Sequence, residues 1–205
     1  MINDTLVGCL IAGCVGYALG NINPSILIGK MYHVDIRKEG SGNAGTTNTI
    51  RVIGLKAGIA VLLLDILKAF AAVKIGTAVG GTAGAMAGFA CVILGHCFPA
   101  LYGFKGGKGV AAALGAALAL NWQSGLLALL VAAVLFLLAR RMSVASIGAV
   151  AAYPVFVHFF RPECQYFAIC CAVFLVIMHT PNIKRLLRGE EKVLTLGHRD
   201  KKSQE

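Results

Sequence analysis

The chain has 205 residues, 58% of them hydrophobic and only 14% charged, with a mean hydropathy of +0.77. A soluble domain of this length needs more charge to cover its surface, so the composition excludes an ordinary globular enzyme and indicates an integral membrane protein. The formal net charge of +10 does not indicate nucleic-acid binding, because Lys and Arg flank apolar blocks instead of forming a groove or a helical stripe.

In chain order, the first apolar block is 5–29. Asp4 is its first charge and no basic segment precedes it, so it is expected to remain as a span and not to be a cleaved signal. Block 55–73 is strongly apolar but contains Asp65 and Lys68, three residues apart, which reads equally as a functional charge or a structural pair. Block 75–104 contains Gly80-Gly81 and Pro99, which leave a helical core near 79–98. Block 109–139 is interrupted by Asn121-Trp122-Gln123-Ser124-Gly125 and is read as two short helices, either crossing or re-entrant. Blocks 142–160 and 164–183 complete the set, one helix each, every one near the ~20 residues that a bilayer requires.

The charge distribution decides how block 109–139 is counted. With two helices there are seven spans, and an outside N-terminus leaves only Lys68, Lys74 and Arg161 of the 19 basic residues outside. One long helix would move Arg140, Arg141 and the basic tail from about 184 to the outside, against the positive-inside bias. The expected architecture is therefore an all-α integral membrane domain over 1–205. It has seven transmembrane helices, the fourth and fifth short, an outside N-terminus and a cytoplasmic C-terminus. The seven cysteines include no C-x-x-C and are read as free thiols in apolar runs.

This parity puts four polar segments, 30–56, 95–109, 140–146 and 179–205, on one face. The first contains GSGNAGTTNTIR at 40–51, a literal G-x-G-x-x-G with Asp65 lying 20 residues past Gly45. It follows a membrane helix and not a strand, so a dinucleotide fingerprint is rejected. Glycines still let backbone N–H groups approach an anion. Ser41, Asn43, Thr46, Thr47 and Asn48 add donors, and Arg51 adds a guanidinium fork about one turn into a helix expected from Thr47. The second segment, GHCFPALYGFKGGKG at 95–109, lacks Walker spacing and reads as a second anion loop carrying Lys105 and Lys108. His96 alone reads as a packed helix-end residue. The third, HTPNIKRLLRGEE at 179–191, and RRMSVAS at 140–146 offer hydrogen-bonding corners or plain anchors and caps.

These segments together resemble one family, the bacterial acyl-phosphate:glycerol-3-phosphate acyltransferases. GSGNAGTTNTIR is similar to its first motif, GHCFPALYGFKGGKGVA to its second and HTPNIKRLLRGEE to its third, in order and across nearly the whole chain. The chain departs in having Gly45-Thr46-Thr47-Asn48 where the family commonly has G-A-T-N, and Gly20-Asn21-Ile22-Asn23-Pro24 where it has G-S-I-P. The resemblance implies a multi-pass enzyme of the bacterial inner membrane with its motifs facing the cytoplasm. It implies acyl transfer from acyl phosphate to the 1-hydroxyl of glycerol 3-phosphate, yielding lysophosphatidic acid and phosphate without a cofactor. It also implies a soluble phosphate acyltransferase as supplier of acyl phosphate.

On this reading the catalytic candidates are Ser41, Lys105, Ser143, His179 and Asn182. The phosphate-binding candidates are Gly42, Asn43, Gly45, Thr47, Asn48, Arg51, Gly106, Gly107, Lys108 and Arg185, and no metal site is expected. A transporter of a phosphorylated metabolite is the rival reading, weakened by the few intramembrane charges and the absence of a clear inverted repeat.

Overall fold

The computed structural model describes residues 2–194, which form helices and turns with no β-strand among them. The first apolar block contains not one helix but two, α1 (Ile2–Asn21) and α2 (Pro24–Met31). Pro24 cannot donate into a preceding turn, and the Asn23 side chain accepts from Ile26 N at 3.1 Å, so a new helix starts there. The short α3 (Thr46–Val52) begins one residue before its expected start.

Helix α4 (Leu55–Cys97) is sharply bent at Gly80-Gly81, where Gly81 takes φ +59°, a value that side-chain-bearing residues avoid. The break falls here and not at Lys74, so the first limb is longer than the charge pattern implied. The limbs 55–79 and 82–97 lie against each other. Gly76 faces Gly84, Ala72 faces Gly88, and Lys68 faces His96, pairs placed symmetrically about the bend, so the limbs are antiparallel. Helix α1 runs parallel to the second limb at a nearly constant offset, with Gly8 on Val79, Gly16 on Gly88 and Gly20 on Gly95. A Cβ on Gly20 would lie 2.5 Å from the Val92 carbonyl oxygen, so these backbones approach closely because the residues are small.

Block 109–139 divides as expected, into α5 (Val110–Leu120) and α6 (Trp122–Ala139), with Asn121 extended between them. Only α5 is short. Its 11 residues span about 16 Å, whereas the 18 of α6 are enough to cross a bilayer. Helix α7 (Met142–Phe160) precedes α8 (Gln165–Met178) and α9 (Thr180–Leu187), which are bent by 58° at His179, where Pro181 opens the new helix. Among the described residues, by length and hydropathy three stretches can cross a membrane, Asp4–Met31, α6 and α7, with the bent 162–187 pair a fourth.

Leu10, Leu67, Leu137, Phe159 and Ile177 are each more than 60% exposed, an outer surface suited to lipid and not to water. Inside, Phe89 packs edge-on to Phe167 at 5.3 Å and beside Tyr153, among alanines and valines from α4, α5, α7 and α8. The seven cysteines are free thiols. The helix ends leave their polar turns at one place, which becomes the site. Of the expected basic tail, Arg199, Lys201 and Lys202 lie outside the described residues.

Candidate active site

The loop before α3 is held by one buried side chain. Asn48 Oδ1 accepts from Ser41 N at 2.8 Å, and Asn48 Nδ2 donates to Ile36 O and Glu39 O at 2.9 and 3.0 Å. Gly40, at φ +64°, passes so close that a Cβ there would sit 2.3 Å from Asn48 Oδ1. Asn48 therefore braces the loop, and its polar atoms are committed to it. Asn48→Ala is expected to leave Ser41 N and Ile36 O without partners and Glu39 O with one bond fewer, and to cost roughly 2–4 kcal/mol, read as a lowered unfolding temperature in detergent. Gly42 likewise spends its N–H on Glu39 O at 2.9 Å. Ser41, Asn43, Thr46, Thr47 and Arg51 remain on the cavity wall.

In the second segment the chain folds back on the end of α4. Gly106 N donates to Cys97 O and Gly107 N to His96 O, both at 3.1 Å. These amides are consumed by the turn, so the expected phosphate contacts from Gly106 and Gly107 are not made by their N–H groups. Lys105 is exposed and does not line the cavity. Lys108 lines the cavity.

The second segment is tied to 179–191 by a chain of polar side chains. Lys108 Nζ donates to Asn182 Oδ1 in a short contact, Asn182 Nδ2 to Glu191 Oε1 at 2.7 Å, and Arg185 Nε to Glu191 Oε2 at 2.6 Å. Arg185 is thus a partner of Glu191 and not a wall residue. The strand of chain after α9 closes this side. Arg141 Nε donates to Glu191 O at 3.1 Å, Leu194 N to Arg140 O at 3.0 Å, and Arg51 Nη2 to Lys192 O at 3.4 Å. His179 Nδ1 lies 2.7 Å from Leu175 O; a carbonyl only accepts, so Nδ1 carries the hydrogen and neutral His179 presents a bare Nε2. Ser143 stands beside Glu191 but closes no hydrogen bond of good geometry, and its Oγ is unpartnered.

The four segments enclose one polar cavity of about 630 Å³, open on one side. Its inner wall includes Asp65 and His96 from the two limbs of α4, where Lys68 Nζ sits 2.7 Å from Asp65 Oδ1 and 3.1 Å from His96 Nδ1. Burial, with Arg185 beside it, pulls the Lys108 ammonium down to about 8, against an opposing pull from Glu191. Burial pushes the Glu191 carboxyl up, but hydrogen bonds from Asn182 and Arg185 outweigh it and hold the group below its ordinary value. Val110, at the start of α5, lines both this cavity and an apolar crevice of about 530 Å³ among α5, α6, α7 and α8.

A family model described as glycerol-3-phosphate acyltransferase matches residues 10–189. The chain belongs to the glycerol-3-phosphate acyltransferase family. Similar acyltransferases include those of Clostridioides difficile (strain 630), 38% identical over 191 residues covering 89% of this chain and 94% of the relative, and of Aquifex aeolicus (strain VF5), 40% identical over 186 residues covering 85% and 93%. Two crystal structures of PlsY, an integral membrane glycerol 3-phosphate acyltransferase, are similar throughout. The glycerol 3-phosphate form has a TM-score of 0.87 at 35% identity and covers 91% of this chain and 96% of that one. The lysophosphatidic acid form has a TM-score of 0.84 at 35% identity and covers 92% and 96%.

In this acyltransferase the cavity brings together most of the residues expected from the motifs: Ser41, Asn43, Gly45, Thr47, Asn48, Arg51, Lys108, Ser143, His179 and Asn182. It adds Asp65, His96 and Glu191, which sequence reasoning did not place there, together with Thr46, expected only as a donor of the first loop, and Ser146, expected as a cap. Asp65 carried a signal, an acid inside an apolar block. Glu191 carried none beyond its place after three cations.

Proposed function

We propose that the protein transfers a fatty acyl group from acyl phosphate to the 1-hydroxyl of sn-glycerol 3-phosphate, giving lysophosphatidic acid and inorganic phosphate. The observation that carries this reading is the junction at Val110, where a polar cavity with two lining cations meets an apolar crevice. Two anionic headgroups require Arg51 and Lys108, and a fatty tail requires the crevice. The unpartnered hydroxyls of Thr46 and Ser143 supply donors for oxygens of either substrate.

The chemistry follows from placement. The glycerol 1-hydroxyl oxygen attacks the acyl carbonyl, the new ester bond forms, and the bond to phosphate breaks with the electron pair leaving on phosphate. The hydroxyl proton passes to the bare Nε2 of His179 or to the departing phosphate. Ser143 and Asn182 orient the reacting carbonyl, and Ser41, Asn43 and Thr47 orient a phosphate. An acyl phosphate is already activated, so ordering two reactants, which contributes about 7–11 kcal/mol, accounts for much of the rate without an acyl-enzyme. The helix ends that meet at the cavity support seven passes with α5 and both limbs of α4 counted. On this reading the site faces the cytoplasm from the bacterial inner membrane, and a soluble phosphate acyltransferase delivers the donor.

Purified protein given palmitoyl phosphate and labelled glycerol 3-phosphate should form labelled lysophosphatidic acid with one phosphate released per product. Accumulation of label inside vesicles without product would instead favour a transporter. The crevice makes a second expectation. Ala128 and Ala172 line it, so Ala128→Leu or Ala172→Leu should lower turnover of a 16-carbon donor about tenfold relative to a 10-carbon donor, because each buried methylene is worth about 0.8 kcal/mol. A chain-length series of acyl phosphates reads this directly.

A further inference from the structure

Asp65 is a carboxylate with one oxygen engaged and one not. Oδ1 lies 2.7 Å from Lys68 Nζ and 3.1 Å from His96 Nδ1, whereas Oδ2 is buried without any hydrogen-bond partner. The residue is 1% exposed, yet it lines the polar cavity together with His96. Lys68 is itself held from the far side, donating to Ile22 O at 2.6 Å and Gly20 O at 3.3 Å, so the engaged oxygen is fixed in place by α1 as well as α4. Beside a lysine the carboxylate stays ionised, and an ionised carboxylate only accepts hydrogen bonds.

A buried acceptor at a cavity wall calls for a ligand that donates. The phosphate end of a substrate is repelled by Asp65 and drawn to Arg51 and Lys108, so the end that reaches Asp65 is neutral and hydroxylated. An acyl phosphate has no hydroxyl on its tail, but glycerol 3-phosphate has two. The 1-hydroxyl surrenders its proton in the reaction, while the 2-hydroxyl keeps its hydrogen in substrate and product. Resting on the acyltransferase reading above, we infer that Asp65 Oδ2 accepts the hydrogen bond of the glycerol 2-hydroxyl and is a positioning and specificity residue for the acceptor substrate. Lys68 and His96 set the position of that carboxylate.

The test compares kcat/KM for glycerol 3-phosphate and for 3-hydroxypropyl phosphate, which lacks only the 2-hydroxyl. Wild-type protein should disfavour the deoxy substrate by about 10- to 100-fold, the value of a hydrogen bond to a charged acceptor. In Asp65→Asn, where that acceptor is neutral, the ratio should fall below about tenfold while activity on the deoxy substrate changes less than activity on glycerol 3-phosphate. If Asp65→Asn leaves Lys68 unpaired and the protein unfolds, Asp65→Asn/Lys68→Met removes both charges and is measured instead. A wild-type ratio near one, or an undiminished ratio in the variant, overturns the assignment of Asp65 alone. Failure of wild-type protein to acylate glycerol 3-phosphate overturns the acyltransferase reading on which it rests.

Discussion

Lys108→Met is expected to lower kcat/KM for glycerol 3-phosphate by about 100- to 1000-fold, the usual cost of removing one preorganised charged donor from an acyl-transfer site. Lys108 lines the cavity, donates to Asn182 Oδ1, and stands in the chain that leads through Asn182 to Glu191 and Arg185. Its removal takes away an anion contact and leaves Asn182 and Glu191 with one cation fewer. The group also predicts a pH dependence. Burial brings it from 10.5 down to about 8, so it is charged below that pH and neutral above it. An anionic substrate binds the charged form, so its apparent affinity is high at pH 7 and falls up to about tenfold per pH unit above 8. Lys108→Arg keeps the charge at all these pH values. It should abolish that alkaline fall while remaining about tenfold or more below wild type, because a planar fork does not replace a compact ammonium. KM measured from pH 6.5 to 9.5 in the two proteins decides the point.

Gly107→Ala carries the second large effect, and its cause is packing instead of phosphate binding. A Cβ at 107 would lie 2.2 Å from His96 Nε2 and 2.7 Å from Ala44 O. The first neighbour belongs to the buried Asp65–Lys68–His96 cluster and the second to the loop braced by Asn48. Neither is the free end of a flexible chain, so one methyl group forces the inner wall of the cavity apart from its anion loop. Displacing reacting groups by about 1 Å costs on the order of 100-fold in rate, and overpacking costs about 1–3 kcal/mol in stability. Turnover should therefore collapse while the protein still purifies as a folded species with a modestly lowered melting temperature. Near-normal turnover in Gly107→Ala would mean that the two walls of the cavity are not packed as described.

Much of this architecture could be read from the amino acids. The apolar blocks imply two helices over the length of α4, divided near Lys74, whereas the structure bends α4 at Gly80-Gly81, and the polar break at Asn121 separates α5 from α6. Placing basic residues on one face led to four converging segments, and the structure joins all four around one cavity. What was illegible depended on three-dimensional partners. Lys105 and Lys108 look alike in a glycine turn, and only the return of that turn onto Cys97 and His96 sends one outward and the other inward. Asn48 looks like a phosphate donor because an amide can serve either a ligand or a loop, and the loop closes on it first. Hydropathy makes 5–29 one continuous helix because it does not register the cap made by Asn23 and Pro24. His96 and Asp65 are 31 residues apart and meet only because Gly80-Gly81 folds α4 back on itself.

The central claim is that turns from separate helices form one phosphate-binding site on a single side of the membrane. In a cysteine-free background, single cysteines at Thr46, Ser143 and Asn182 can be exposed to a membrane-impermeant thiol reagent in inverted and in right-side-out vesicles. All three should react in inverted vesicles only, and glycerol 3-phosphate should slow each of them. Reaction of any one from the opposite face, or protection of one without the others, would contradict a shared site.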